Sequence, residues 1–212
     1  MLTKSKTFAA LLVAGTASAA AATSAAAATT YTASSSSLSA TLAGGPVVMT
    51  NGSLVTRCTS SRVTVSGLST VAAPLPAAFA GVPAMTFGGC ITTVGGIPRP
   101  VTFATTGTWG FRLPAADYSA QLNVPNAGVT YTLGTCVITS NASSVAGTLR
   151  TAAGPAPVLG QPATRLALNG TMNLVNGSGC PTGTTMTIVA DGSTVAGTTT
   201  GTYELSGAVT QN

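Results

Sequence analysis

The sequence predicts an all-β protein: an antiparallel β-sandwich with two loosely repeated halves and two disulfides. Three observations predict it. Apolar residues recur at every second position in one run after another; Thr and Val fill those runs, Thr alone occurring 38 times; and Gly, Pro and Asn punctuate them. Such alternation buries one face of a strand and wets the other, which is the condition of antiparallel sheets packed face to face.

Taken in order, the chain opens with Lys4 and Lys6, an apolar run from Phe8 to Gly15, and the small-residue site Ala17-Ser18-Ala19. Residues 1–28 therefore read as an export signal cleaved between 19 and 28. Its apolar core is shorter than the roughly 20 residues a membrane span needs. Residues 29–45 form a Ser/Thr-rich segment with a loose start, in which Leu38, Ala40 and Leu42 alternate with Ser37, Ser39 and Thr41. This strand has one apolar face and two uses: it completes its own sheet, or it adds to the sheet of a partner protein, with Leu38, Ala40 and Leu42 as the contact residues.

Residues 46–212 are assigned to the sandwich itself. Val63 and Val65 mark one strand, Trp109, Phe111 and Leu113 another, and Val129, Tyr131 and Leu133 a third. Leu166, Leu168, Met172 and Leu174 follow, then Met186 with Ile188 and Tyr203 with Leu205. Asn51-Gly52, Pro125-Asn126, Asn169-Gly170 and Asp191-Gly192 read as turns. The proline-bearing stretches 71–84 and 152–163 read as loops between strands. A membrane barrel also alternates, but its aromatic girdles do not fit a chain that is 5% aromatic.

Only 11 of 212 residues carry a charge, and none is His. Without the first 28 residues the chain keeps six Arg against Asp117, Asp191 and Glu204, a net charge of +3. Arginines this scattered, with few aromatic partners, do not make a nucleic-acid surface. Triads and Cys–His pairs are excluded for want of His, and a lysine base for want of Lys beyond residue 28. A carboxylate pair is the remaining acid–base option. The three acids read instead as a loop residue (Asp117), a turn residue (Asp191) and part of a polar strand face (Glu204). The sequence thus predicts no enzyme, no cofactor and no metal. Thr-x-Thr pairs such as Thr130/Thr132 and Thr200/Thr202 follow no fixed period, so no regular threonine array is expected.

Cys58, Cys90, Cys136 and Cys180 stand 32, 46 and 44 residues apart, too far for a zinc motif and suited to an oxidising compartment. Four cysteines allow three pairings. An internal echo selects one: Gly-Gly-Cys90 followed by Thr105-Thr106-Gly107-Thr108-Trp109 is matched by Gly179-Cys180 followed by Thr199-Thr200-Gly201-Thr202-Tyr203. Each half then has an early and a late cysteine, which predicts Cys58–Cys90 and Cys136–Cys180.

The Ser/Thr-rich opening strand, Cys58 with Thr59-Ser60-Ser61, Phe87-Gly88-Gly89-Cys90, Trp109 and the late Gly179-Cys180 resemble small secreted bacterial proteins of the PraB-like type and a wider set of actinobacterial exported proteins. The resemblance implies a secreted, non-catalytic surface or matrix role and carries no functional residues. The neocarzinostatin-like apoproteins share four cysteines and a small-residue sandwich, but their cysteine pairs are closely spaced and their cleft is acidic. The expected function is a structural or adaptor component of an extracellular surface, matrix or assembly, partnered by another secreted protein or by itself. The alternative is a carrier of a small apolar ligand between the sheets.

Overall fold

β-Branched Thr and Val fill the strands, and nearly every interruption falls at Gly, Pro or Asn, so a chain of this composition becomes many strands joined by tight turns. The computed structural model describes residues 29–83, 85–177, 180 and 183–212. The predicted export signal lies outside the described residues. In chain order the first strands are β1 (Thr30–Ala33), β2 (Ser37–Ala43), β3 (Val47–Asn51), β4 (Leu54–Ser66), β5 (Ala73–Pro74), β6 (Ala77–Pro83), β7 (Thr86–Val94), β8 (Ile97–Pro100) and β9 (Thr102–Thr105). They are followed by β10 (Thr108–Leu113), β11 (Ser119–Val124), β12 (Val129–Leu133), β13 (Cys136–Ser140) and β14 (Ser143–Arg150). The last are β15 (Pro162–Asn176), β16 (Thr185–Ala190), β17 (Thr194–Val195), β18 (Thr198–Thr199) and β19 (Thr202–Gln211).

All pairings are antiparallel, and they make two sheets that meet at β15, with β17–β18 as a separate hairpin. The two longest strands organise the rest. β4 carries β7 along one edge and, along the other, β3 beside its first half and β2 beside its second. β15 pairs with β14 and β19 in its first half and with β16 and β13 in its second. Two bridges, β3–β16 and β2–β19, join β4 to β15. Beyond β14 the larger sheet continues through β11 and β10 to β6, while the smaller runs β15–β13–β12–β9. One core fills the space inside. It contains Tyr203, Met49, Leu113, Ile138, Leu149 and Met172, each almost wholly buried. The Tyr203 hydroxyl donates to Ser61 Oγ at 2.9 Å, so the largest of these side chains leaves no polar atom unpaired.

The buried positions of β4 change phase midway. Leu54, Thr56 and Cys58 face inward in the first half; Ser61, Val63 and Val65 do so in the second. Thr59 and Ser60 are both exposed, opposite Gly88 and Gly89 of β7. Gly89 has φ 60°, and a Cβ there would meet Thr59 Oγ1, so glycine is strongly favoured at this bulge-like step. The Cys58–Cys90 disulfide lies beside the step, between residues that face each other in register. The second bridge, Cys136–Cys180, ties the start of β13 to the segment after β15. Both pairings are those the internal echo selects, and no described cysteine is free.

Three expectations need correction. Residues 71–84 are not all loop: β6 pairs with β10, placing Phe79 opposite Phe111 and edge-on to Tyr31. Pro76 precedes β6 and Pro83 ends it, so the prolines bracket the strand and remove no ladder hydrogen bond from its middle. Asn169-Gly170 is not a turn but the middle of β15, where a side chain at 170 would run into the Ala146 backbone and Val145. Asn51 is no plain turn residue either. It is buried, and its amide donates to the carbonyls of Gly183 and Thr185.

Candidate interaction face

Residues in register on neighbouring strands lie on the same side of a sheet, and the pairings therefore assemble rows that the sequence scatters. One outer row runs Thr93, Val55, Thr50, Thr187, Thr171 across five adjacent strands. The hydroxyls of Thr171 and Thr187 are 3.4 Å apart. The next row runs Ile91, Arg57, Val48, Val189, Asn169. Arg57 ties the β17–β18 hairpin to this row: Nε donates to Thr198 Oγ1 at 2.6 Å and Nη2 to the Ala196 carbonyl at 3.0 Å. Val48 and Val189, its neighbours in the row, are buried although they lie on the outward side. Across the step in β4 a third row runs Arg62, Thr41, Glu204, Arg165, Arg150.

Three turns converge around Arg57. They are Gly52-Ser53 between β3 and β4, Gly95-Gly96 between β7 and β8, and Ala196-Gly197 at the hairpin tip. Gly52, Gly95, Gly96, Ala196 and Gly197 all have positive φ. Positive φ at both central residues, as at Gly95-Gly96 and Ala196-Gly197, is what a type I′ hairpin turn requires. Among the turns lies an open groove of about 590 Å³, lined by Ser53, Val55, Arg57, Thr93, Gly95 and Ala196.

The three carboxylates are each engaged separately. Asp117 Oδ1 accepts from the Ser119 amide at 2.9 Å, and these bonds with Ser119 hold its carboxyl below the usual range. Burial pushes Asp191 up, but hydrogen bonds from Ser193 and Asn169 and the charge of Arg150 outweigh it, and its carboxyl also ends below the usual range. Its Oδ1 accepts from the Ser193 amide and its Oδ2 from Asn169 Nδ2, both at 2.9 Å. Glu204 pairs with Arg165 at 3.4 Å in the open. Among the described residues no cluster of three His, Cys, Asp or Glu is placed to hold a metal, and no helix is long and apolar enough to cross a membrane.

The predicted partner strand lies inside the molecule. β2 is hydrogen-bonded to β4 on one edge and β19 on the other, with Leu38 opposite Val65, Ala40 between Val63 and Leu205, and Leu42 opposite Tyr203. Leu38 and Ala40 are buried, Leu42 half-buried. β4 pairs with residues 37–41 and β19 with residues 40–43, so β2 is taken up in this chain's own sheet, and Leu38, Ala40 and Leu42 pack on its core. Among the described residues β8 pairs only with β7, and its sequence Ile97-Pro98-Arg99-Pro100 denies its other edge a full set of amide donors. The void beside Leu38, Val65, Phe111 and Leu149, all on the larger sheet, measures about 20 Å³, roughly one water.

Sequence reasoning missed the groove. Asn51-Gly52 was visible as a turn, but nothing in the sequence brings residues 53, 57, 95 and 196 together. Compared with protein-family models, curated proteins and solved structures, the chain matches none.

Proposed function

We propose that this chain is an exported, non-catalytic structural or adaptor component of an extracellular surface, matrix or assembly, acting through the outer face of its larger sheet. The observation that carries this reading is the row Thr93, Val55, Thr50, Thr187, Thr171: five uncharged side chains in register across five strands, bordered by the Arg57 groove. An uncharged array on a disulfide-braced scaffold suits contact with another surface better than it suits catalysis. The separate engagement of Asp117, Asp191 and Glu204 agrees with this, because a carboxylate in a turn or an ion pair is not poised as a general acid or base.

The test is native purification of the full chain from the medium of an expressing culture, followed by sizing and mass spectrometry of everything that travels with it. A high-mass particle or a stoichiometric protein or polymer partner is expected. A monomer carrying a stoichiometric apolar small molecule would overturn the reading in favour of a carrier. A reproducible hydrolase or transferase activity that vanishes with Asp117→Asn, Asp191→Asn or Glu204→Gln in a folded protein would overturn its non-catalytic part.

A further inference from the structure

We infer that the groove at Arg57 is a binding site for a carboxylate-bearing saccharide, a uronate unit of an acidic polysaccharide. The inference rests on the proposed role of the outer face and names the partner chemistry of one place on it.

The argument starts from the guanidinium. Its five donors form a planar fork suited to carboxylates. Two are committed to Thr198 Oγ1 and the Ala196 carbonyl, which fix the orientation of the plane. Among the described residues no carboxylate pairs with Arg57. A cation held in place by neutral acceptors, with donors to spare and no counter-charge, is preorganised for an anion.

The surroundings narrow the class. Ser53 and Thr93 supply hydroxyls, Val55 an apolar wall, and the groove of about 590 Å³ is the size of ordinary ligand sites. No aromatic ring lines it, so a neutral sugar would lack a stacking platform and the charge must anchor the ligand. An extended acidic peptide would be expected to add along a sheet edge, and the neighbouring edge, β8, carries Pro98 and Pro100. A saccharide carboxylate on Arg57, with ring hydroxyls on Ser53 and Thr93, satisfies the groove without needing that edge.

Calorimetric titration of the purified full chain with trigalacturonate at low ionic strength tests this. Saturable binding is expected, weakened about tenfold or more in Arg57→Gln, the loss of one charge-assisted hydrogen-bonded anchor. Arg112→Gln, on β10 in another part of the fold, should bind as the parent does. Because Arg57→Gln also releases the hairpin, Ser53→Asp is the second variant: residue 53 is exposed, and the added charge should abolish binding while circular dichroism stays unchanged. Absence of saturable binding, equal binding of the methyl-esterified trisaccharide, or equal weakening by Arg112→Gln would overturn the assignment. Tighter binding of a tetraglutamate peptide would overturn it in favour of an acidic protein. A high-mass particle that forms normally while trigalacturonate fails to bind would sink this inference and leave the assembly reading standing.

Discussion

If β2 is a central strand, its apolar residues hold the fold rather than a partner, and the size of the effect can be worked position by position. Leu38 is 4% exposed, faces Val65, and lines the interior with Phe111, Leu149 and Leu205 beside a void of about 20 Å³. Removing its isobutyl group enlarges that void, so Leu38→Ala should lower stability by about 2–5 kcal/mol. Leu42 is only partly buried, and Leu42→Ala should cost about 1 kcal/mol. Leu38→Asp adds an unpaired charge to the lost packing, several kcal/mol more by order of magnitude. The sum approaches a typical total stability of about 5–15 kcal/mol, and this variant should fail to fold. Trp109, the only tryptophan and 2% exposed, reports urea unfolding by fluorescence. A Leu38→Ala protein within about 0.5 kcal/mol of the parent, or a chain lacking residues 29–45 that unfolds at the parent midpoint, would refute the placement of β2.

Further expectations follow from single features. Replacing both cysteines of either bridge by Ala should cost about 4 kcal/mol, since the bridges span 32 and 44 residues; paired melts of the two variants check it. Gly89→Ala should lose about 1–2 kcal/mol from its left-handed backbone plus the clash with Thr59, and adding Thr59→Ala should return only the clash. Burial raises the phenol of Tyr203, against the smaller pull of Ser61, so the unfolded chain ionises first: stability is full below about pH 10 and falls above it. Tyr203→Phe should flatten that alkaline limb of a urea-midpoint profile while losing about 1 kcal/mol with the hydroxyl bond. For Asp191, lowered in the fold, the sign is opposite. Its contribution is present above about pH 4 and lost as pH falls through the folded value, so Asp191→Asn should flatten the acid limb.

Strict alternation made most of the fold readable, because period two is a property of the strand itself. Leu38/Ala40/Leu42, Trp109/Phe111/Leu113 and Val129/Tyr131/Leu133 all lie in strands for that reason. What alternation cannot report is the neighbour. It showed that β2 has an apolar face but not that β4 and β19 flank it, since one of those partners, β19, lies more than a hundred positions away. The misreadings at 71–84 and at Asn169-Gly170 share a cause: Pro and Gly mark turns statistically, yet here Pro76 and Pro83 bracket a strand and Gly170 answers a close backbone approach. The disulfides were recovered because the echo around Cys90 and Cys180 is local. The groove was not, because it is assembled from three turns and from residues of two strands, β4 and β7.

The scarcity of charge that emptied the catalytic inventory also gives the groove its character. Thr, Ser and Asn keep the outer face wet without ions, so few charges compete near any one of them. Glu204 sits with Arg165 beyond the step in β4, where Arg62 enters the same row, while Asp191 is held by Asn169, Ser193 and Arg150. Arg62 is five residues from Arg57 along β4, about 17 Å at 3.3 Å per residue. That exceeds the Debye length of about 8 Å at physiological ionic strength. Arg57 is the one cation among the residues lining the groove, and Arg99 on β8, two strands away, is the next near it. An anion held by Arg57 alone should lose affinity with salt as a single-charge contact does. A steeper, multi-charge salt dependence would mean that the ligand also reaches Arg99 or the row at Arg62.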